Sequence, residues 1–443
     1  MLRIEGAQAI VVDRDTETSG DLLLGDAVLD PARGGGERGG GAAETLDASG
    51  CIVTPGLVNA HHHLLQSGFR TLPGTRGVPM ADWLPAMAAA YGAAGIDASL
   101  VAATASVGVA EGLLSGVTTV ADHMLNWDHG SPVEDTVDVA HAIADAAASV
   151  GGRLALVRGS AREDPARVAA SATAIAESFA LTRGVTADGM LQLAVGPAGV
   201  HSDAEATFRG LGEVAAAFGL RRRTQANEQV DVAIALDRYG RRPLDLLEDW
   251  GWLAPDVTIA HLVGVTDDEI GRLAAAGVTG THAPGCDVPM GWGVAPVARL
   301  RAEGVELGLG TSGGGSNDAG HLLADARLAM QVSGLAVLPD GTAGPQLDAR
   351  DVLSMATAGG AAGLGRPELG HLRPGAAADA CVWDVSGVAD AGVADPVAGL
   401  LWAAPGRRPR HVVVGGRVVV RDYALVTADE RELVASLNAR LAR

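Results

Sequence analysis

The chain has 443 residues, 48% of them apolar, a formal net charge of −20 and no lysine among its 33 basic residues. That length suits a core of about 250–300 residues with an accessory part. The acidity speaks against a nucleic-acid partner, and the missing lysine excludes Schiff-base chemistry, a phosphate-loop lysine and a lysine-derived metal bridge.

In chain order, 2–12 and 19–29 read as strands, followed by a Gly-rich exposed and mobile turn over 31–44. Residues 51–58 form an apolar strand that runs straight into Asn59-Ala60-His61-His62-His63. From there to about residue 365, strand-like segments alternate with Ala/Leu-rich helical stretches. The strands are 117–122, 153–159, 190–196, 220–226, 257–261, 278–282 and 305–310, and the helical stretches include 100–114, 135–149, 165–181 and 204–218. With 51–58 this makes eight βα units, which predicts an α/β fold, a (β/α)8 TIM barrel. Strands return at 369–374 and 377–385 and in a hairpin, 410–414 with 417–420, around Gly415-Gly416. The expected division is therefore 1–55 and 366–425 as two halves of a small β-sandwich, 56–365 as the barrel, and 426–443 as a terminal helix opened by a Thr427-x-x-Glu430 capping box.

Cys51, Cys286 and Cys381 are few, odd in number and far apart, which suits a reducing, cytoplasmic setting. No uncharged apolar stretch reaches about 18 residues, so no membrane partner is expected. Barrel active sites gather at the carboxyl ends of the strands. There this chain places His61 and His63, Asp122-His123, His201, Gln225 with Glu228, His261, His282 with Cys286-Asp287, and Ser312. His61 and His63 are two apart, so their imidazoles share one side of an extended segment, a pattern that suits a divalent metal.

Thr54-Pro55-Gly56-Leu57-Val58-Asn59-Ala60-His61-His62-His63 resembles the signature of the amidohydrolase superfamily. Residues 114–123, Gly313 with Ser316-Asn317-Asp318, and Leu372-Arg373-Pro374-Gly375-Ala376-Ala377-Ala378-Asp379 extend the likeness over nearly the whole chain. The branch it is most similar to is the cytosine/guanine/triazine aminohydrolases, and His61-His62-His63-Leu64-Leu65-Gln66 with Arg70-Thr71-Leu72-Pro73 resembles its 8-oxoguanine deaminases. The resemblance implies a mononuclear zinc or iron site. His61 and His63 match its first-strand ligands, Glu228 its proton shuttle and His261 its sixth-strand histidine. At the fifth-strand ligand position stands Gln225, and at the eighth-strand aspartate position Ser312, both neutral.

Two histidines fall short of the three or four good donors zinc takes. The expectation is a residual His61/His63 pair with no cofactor or only weakly bound zinc. Catalysis is then metal-independent acid–base chemistry by Glu228, His261 and His282 on a carbon–nitrogen bond or ring of a small nitrogen heterocycle. Gln66, Arg70, Trp127, His201, Gln225 and Ser312 are the expected substrate contacts, and Trp83 and Trp292 are further stacking candidates. Two alternatives stand beside this: a zinc aminohydrolase with a ligand set rebuilt from Glu228, His282, Cys286 or Asp287, and a relative that binds without catalysing. The resemblance also carries a homodimer as an expectation.

Overall fold

In the computed structural model, which describes residues 1–30, 44–336 and 345–442, the two ends of the chain meet in one sheet. The amino end supplies β1 (Leu2–Val11), β2 (Glu17–Leu24), β3 (Glu44–Asp47) and β4 (Cys51–Pro55). The barrel follows as β5 (Leu57–His63), β6 (Val117–Met124), β7 (Arg153–Ser160), β8 (Leu191–Pro197), β9 (Arg221–Ala226), β10 (Val257–His261), β11 (Thr279–His282), β12 (Leu307–Leu309) and a short β13 (Ser312–Gly313). The carboxyl end adds β14 (Ala380–Asp384), β15 (His411–Val414), β16 (Arg417–Arg421) and β17 (Ala424–Leu425).

The terminal sheet runs β17-β16-β15-β14-β4-β1-β2, with β3 parallel to β1. It curls until Gly416, in the β15–β16 turn, meets Gly25 beyond β2. Its alternating residues divide as a two-sided sheet requires: Cys51 and Val53 join a core of its own, while Ile52 faces the barrel core. A buried Arg153 in β7 grips Asp379, just before β14, with two bonds of 2.7 and 3.0 Å. Asp379 also accepts from the Gly415 amide at 2.7 Å.

The β5–β12 strands are parallel and closed, with Leu309 opposite Asn59. β6, β7 and β10 are buried at every position, so their sequences lack the apolar–polar alternation of a one-sided sheet. Asn59 stitches the closure: its amide donates to Thr311 Oγ1 (2.7 Å) and its oxygen accepts from the Thr311 amide (3.1 Å). The eighth strand then breaks, and Ser312 re-pairs with β5 opposite His62.

Several expected elements differ. The single strand at 51–58 is two, split at Gly56, where the chain passes from sheet to barrel and any Cβ would collide with Thr118. Residues 369–374 form turns, not a strand, around Gly370 at φ +76° and Gly375 at φ +88°. The last helix spans Glu430–Leu441 and is capped by Asp429, which accepts from the Arg431 and Glu432 amides; Thr427 instead donates to the Val150 carbonyl at 2.6 Å. Of the Gly-rich turn expected at 31–44, residues 31–43 lie outside the described residues and Glu44 opens β3. Among the described residues, no single helix is long and apolar enough to cross a membrane.

Candidate active site

The carboxyl ends of the barrel strands open into a cavity of about 280 Å³. His63, Gln66, His201, Gln225, His261 and Ser312 line its polar side. The helix Met80–Ala94 covers it with Met80, Trp83, Leu84 and Met87, and Trp292 meets the edge of His261 at 5.2 Å between ring centres. A small apolar cavity with a few converging polar groups is the usual form of a small-molecule site.

Non-glycine residues at these strand ends hold left-handed backbone, among them Asn227 (φ +58°), His261 (φ +76°), Leu262 (φ +55°) and Ser312 (φ +54°). Such positions cost free energy and persist where the surroundings fix them, often at functional sites. Asn227 is fixed by its amide, which donates to Asp231 Oδ2 (2.8 Å), and by its side chain, which donates to Glu269 Oε2 (3.0 Å). That bend turns Glu228, 1% exposed, back toward His261.

A line of four buried groups results. His282 Nδ1 stands 3.6 Å from Asp287 Oδ2, Asp287 Oδ1 is 2.6 Å from His261 Nδ1, and His261 Nε2 is 3.7 Å from Glu228 Oε1. Burial alone would lower the His261 imidazole, but the Asp287 carboxylate and its hydrogen bond, then Glu228, outweigh it and raise it to about 8. Burial lifts Glu228 above the usual carboxylate range, to about 7, against the pull of His261. Asp287 stays below its ordinary value despite burial, because His261 and His282 favour its charge. Glu228 Oε2, His282 Nδ1 and Asp287 Oδ2 are buried without a partner.

The first-strand histidines differ among themselves. His63 donates Nδ1–H to the His123 carbonyl (2.7 Å), and His123 donates Nε2–H to the Gly196 carbonyl (2.9 Å). His62 turns away, with Nδ1 2.9 Å from Thr311 Oγ1. His61 Nε2 is buried without a partner, 4.9 Å from His63 and 5.3 Å from His261 between ring centres. Burial holds His61 well below the ordinary histidine value and takes His63 down to about 4, so both imidazoles are neutral at pH 7.

Neutral imidazoles with one orphan nitrogen are suited to bind a cation such as zinc. The next strand-end groups in the same cavity are the Gln225 amide and the Ser312 hydroxyl, which carry no charge. Among the described residues, the group of three His, Cys or acidic donors close enough to share an ion is His261, Cys286 and Asp287, which omits His61 and His63. In that group His261 Nδ1 is already bonded to Asp287, and burial pushes the Cys286 thiol strongly up, away from the thiolate that ligates. Neither set supplies the three or four ready nitrogen, sulfur or carboxylate donors that zinc takes.

Gln66, His201, Gln225 and Ser312 thus lie at the cavity, and His61 stands close against His63 and His261. Gln66 uses its oxygen on the Gly315 amide (2.9 Å), whereas His201 Nδ1 is buried without a partner. Glu228 and His282 are not lining residues; they adjoin the cavity through His261 and Asp287. Arg70 and Trp127, expected as substrate contacts, lie away from the cavity. Arg70 turns from the cavity to a bidentate pair with Glu111 (2.9 and 2.5 Å), in a separate groove with His321 and Arg408. Trp127 is packed under Arg158, 4.5 Å from its guanidinium carbon, and spends its N–H on the Met124 and Gly159 carbonyls. Asp287, which orients His261, entered the sequence reading only as a spare ligand; its signal was the Pro284-Gly285-Cys286-Asp287 turn directly after a strand ending in histidine.

The profile of the amidohydrolase family matches residues 52–419. The 8-oxoguanine deaminase of Pseudomonas aeruginosa is 31% identical, over 98% of this chain and 97% of its own length. The 5-methylthioadenosine/S-adenosylhomocysteine deaminase of Halobacterium salinarum is 33% identical, over 98% and 94%. Among solved structures, the atrazine chlorohydrolase of Arthrobacter aurescens complexed with zinc superposes with a TM-score of 0.90 at 32% identity, over all of both chains. A closed (β/α)8 barrel carrying a sheet from both termini, and a match over most of the sequence, lead to one conclusion: this chain is a hydrolase-type enzyme that belongs to the amidohydrolase family.

Proposed function

We propose that the chain acts on a small nitrogen heterocycle at a ring carbon bearing a nitrogen substituent, by acid–base chemistry that needs no metal. The observation that carries this reading is the buried line His282–Asp287–His261–Glu228, with His261 facing the cavity. The relatives described above act on rings of this class: an oxopurine, a thioadenosine and a triazine. The cavity volume suits one or two fused rings, with Trp292 and Trp83 as flat apolar walls.

Asp287 keeps Nδ1–H on His261, so Nε2 is the nitrogen that exchanges protons with Glu228 and with the substrate. Water adds to the ring carbon as ionised Glu228 takes one of its protons on the unpartnered Oε2, while protonated His261 gives its Nε2 proton to the adjacent ring nitrogen and regains one from Glu228. The remaining water proton goes to the leaving amine, which departs as the carbonyl forms. His61, His63 and His201 are neutral and offer hydrogen bonds to the ring edge, and Gln225 pairs with an amide-like donor–acceptor face.

Metal analysis of protein purified without added metal tests the reading most directly. Activity with well under one zinc or iron per chain, unaffected by chelators, is the expected result. One metal per chain, with activity lost on chelation, sinks it and favours the second reading, a zinc aminohydrolase with rebuilt ligands, for which the zinc in the Arthrobacter enzyme is the motive. Turnover is to be sought among purines, pterins, triazines and cyclic imides. Glu228→Gln is expected to lower kcat by a factor of about 10²–10⁴, the range for losing a proton-transfer group.

A further inference from the structure

The described part of the chain buries five arginines nearly completely: Arg153, Arg158, Arg223, Arg366 and Arg407. Four of them face a carboxylate, namely Asp379, Glu163, Glu368 and Asp390 respectively. Arg223, 3% exposed, does not. It projects from β9, two residues before Gln225, and its guanidinium donates only to backbone carbonyls: Ala60, the residue before His61, and Gly363 in the helix Gly360–Leu364. The charge acting on it is Arg221, of the same sign. A guanidinium keeps its proton in proteins, so Arg223 is a cation at neutral pH. Its bond to the Ala60 carbonyl sets that charge one residue from His61.

Burying an unpaired cation is expensive, and chains usually place an acid beside it. This chain, with its net charge of −20, has acids to spare and puts none there. Carbonyl acceptors satisfy the N–H groups of Arg223 but leave its charge uncancelled. The position is the barrel interior, against the residue that precedes the His61-His62-His63 run.

We infer that Arg223 is a specificity-determining residue, a permanent cation set beneath His61 and His63 that tunes this pair to receive an anionic group of the substrate and to refuse a divalent metal. A cation in a low-dielectric interior repels a second cation strongly and attracts an anion equally. The matching substrate is a ring that is anionic at the bound edge, through an ionised ring N–H, an enolate-like oxygen or a carboxylate. This inference rests on the metal-independent reading and supplies its electrostatic cause.

The test is zinc affinity, measured with the whole chain by competition against a chromophoric chelator. Arg223→Met is expected to bind zinc at least about tenfold more tightly than the native protein, and Arg223→Lys, which keeps the charge, to stay close to native. An unchanged affinity in a folded Arg223→Met overturns the inference. Should that variant not fold, native crystals soaked in bromide and equimolar zinc decide: bromide beside His61 and His63 is expected, and a zinc peak there, or no bromide, overturns it. Native protein that carries stoichiometric zinc and loses activity with it ends the metal-independent reading itself. Zinc-free, active native protein with no gain in Arg223→Met ends only the role of Arg223.

Discussion

His261 stands between two carboxylates in a pocket that would otherwise strip its proton, and this competition has a kinetic signature. Asp287 raises the imidazole to about 8 while burial raises Glu228 to about 7. A base must be ionised, so activity rises as pH climbs through the Glu228 value. An acid must be protonated, so it falls as pH climbs through the His261 value. The kcat/KM profile is therefore expected to be a narrow bell with limbs near 7 and 8, belonging to the pair rather than to either residue alone. Asp287→Asn removes the charge that raises His261, so the alkaline limb moves down by about one unit or more and maximal kcat/KM drops by about tenfold or more. A profile flat from about pH 6 to 9 would remove this pair from the mechanism. That Glu228 follows one barrel strand and His261 ends the next was legible in the sequence, because strand ends carry the residues at a barrel's mouth. Direction was not. Arg70 follows the first strand by only a few residues, yet points at Glu111 on the helix Ala98–Leu114, and Trp127 follows β6 but lies under Arg158. Such choices depend on partners distant in sequence, which no local pattern encodes.

Among elements, the alternation of strand and helix was readable because buried parallel strands leave apolar runs and their helices leave Ala-rich stretches. Ends and junctions were less so. Thr427-x-x-Glu430 has the spacing of a capping box, but Asp429 offers a better acceptor to the Arg431 and Glu432 amides, and the threonine hydroxyl is drawn to Val150. Asp429→Ala is thus expected to lower stability by about 1 kcal/mol. The contact of β7 with the approach to β14 is the more consequential one. Arg153 and Asp379 are 6% and 5% exposed, and Asp379 also holds the Gly415 turn. Asp379→Ala leaves a buried guanidinium and a backbone amide unpaired, so a loss of about 3–5 kcal/mol is expected in urea unfolding. A change below about 1 kcal/mol would mean that water replaces the carboxylate without cost.

For the whole molecule, the route of the chain decides whether barrel and sheet are separate bodies. β4 and β5 are consecutive, with only Gly56 between them, and β4 is paired over five residues, Cys51–Pro55 against Ala380–Asp384, with a strand from the other end of the chain. The barrel core and the barrel-facing side of the sheet are one continuous cluster that includes Ile52, Cys381 and Trp383. The fully buried Trp383 ring also donates to Thr54 Oγ1 at 2.9 Å. Separating the two parts would expose this apolar seam and the Arg153–Asp379 pair together. Inter-domain contacts that are small and polar allow independent melting, whereas a shared apolar core does not. Heating is therefore expected to give one transition, coincident by far-UV circular dichroism and tryptophan fluorescence. A chain ending at residue 365 would lack β14 and leave β4 an unpaired edge, so it is expected not to reach a native fold, even though its barrel sequence is whole. Two resolved transitions in the full chain, or a soluble and cooperatively melting 1–365 fragment, would show the barrel to stand without the terminal sheet.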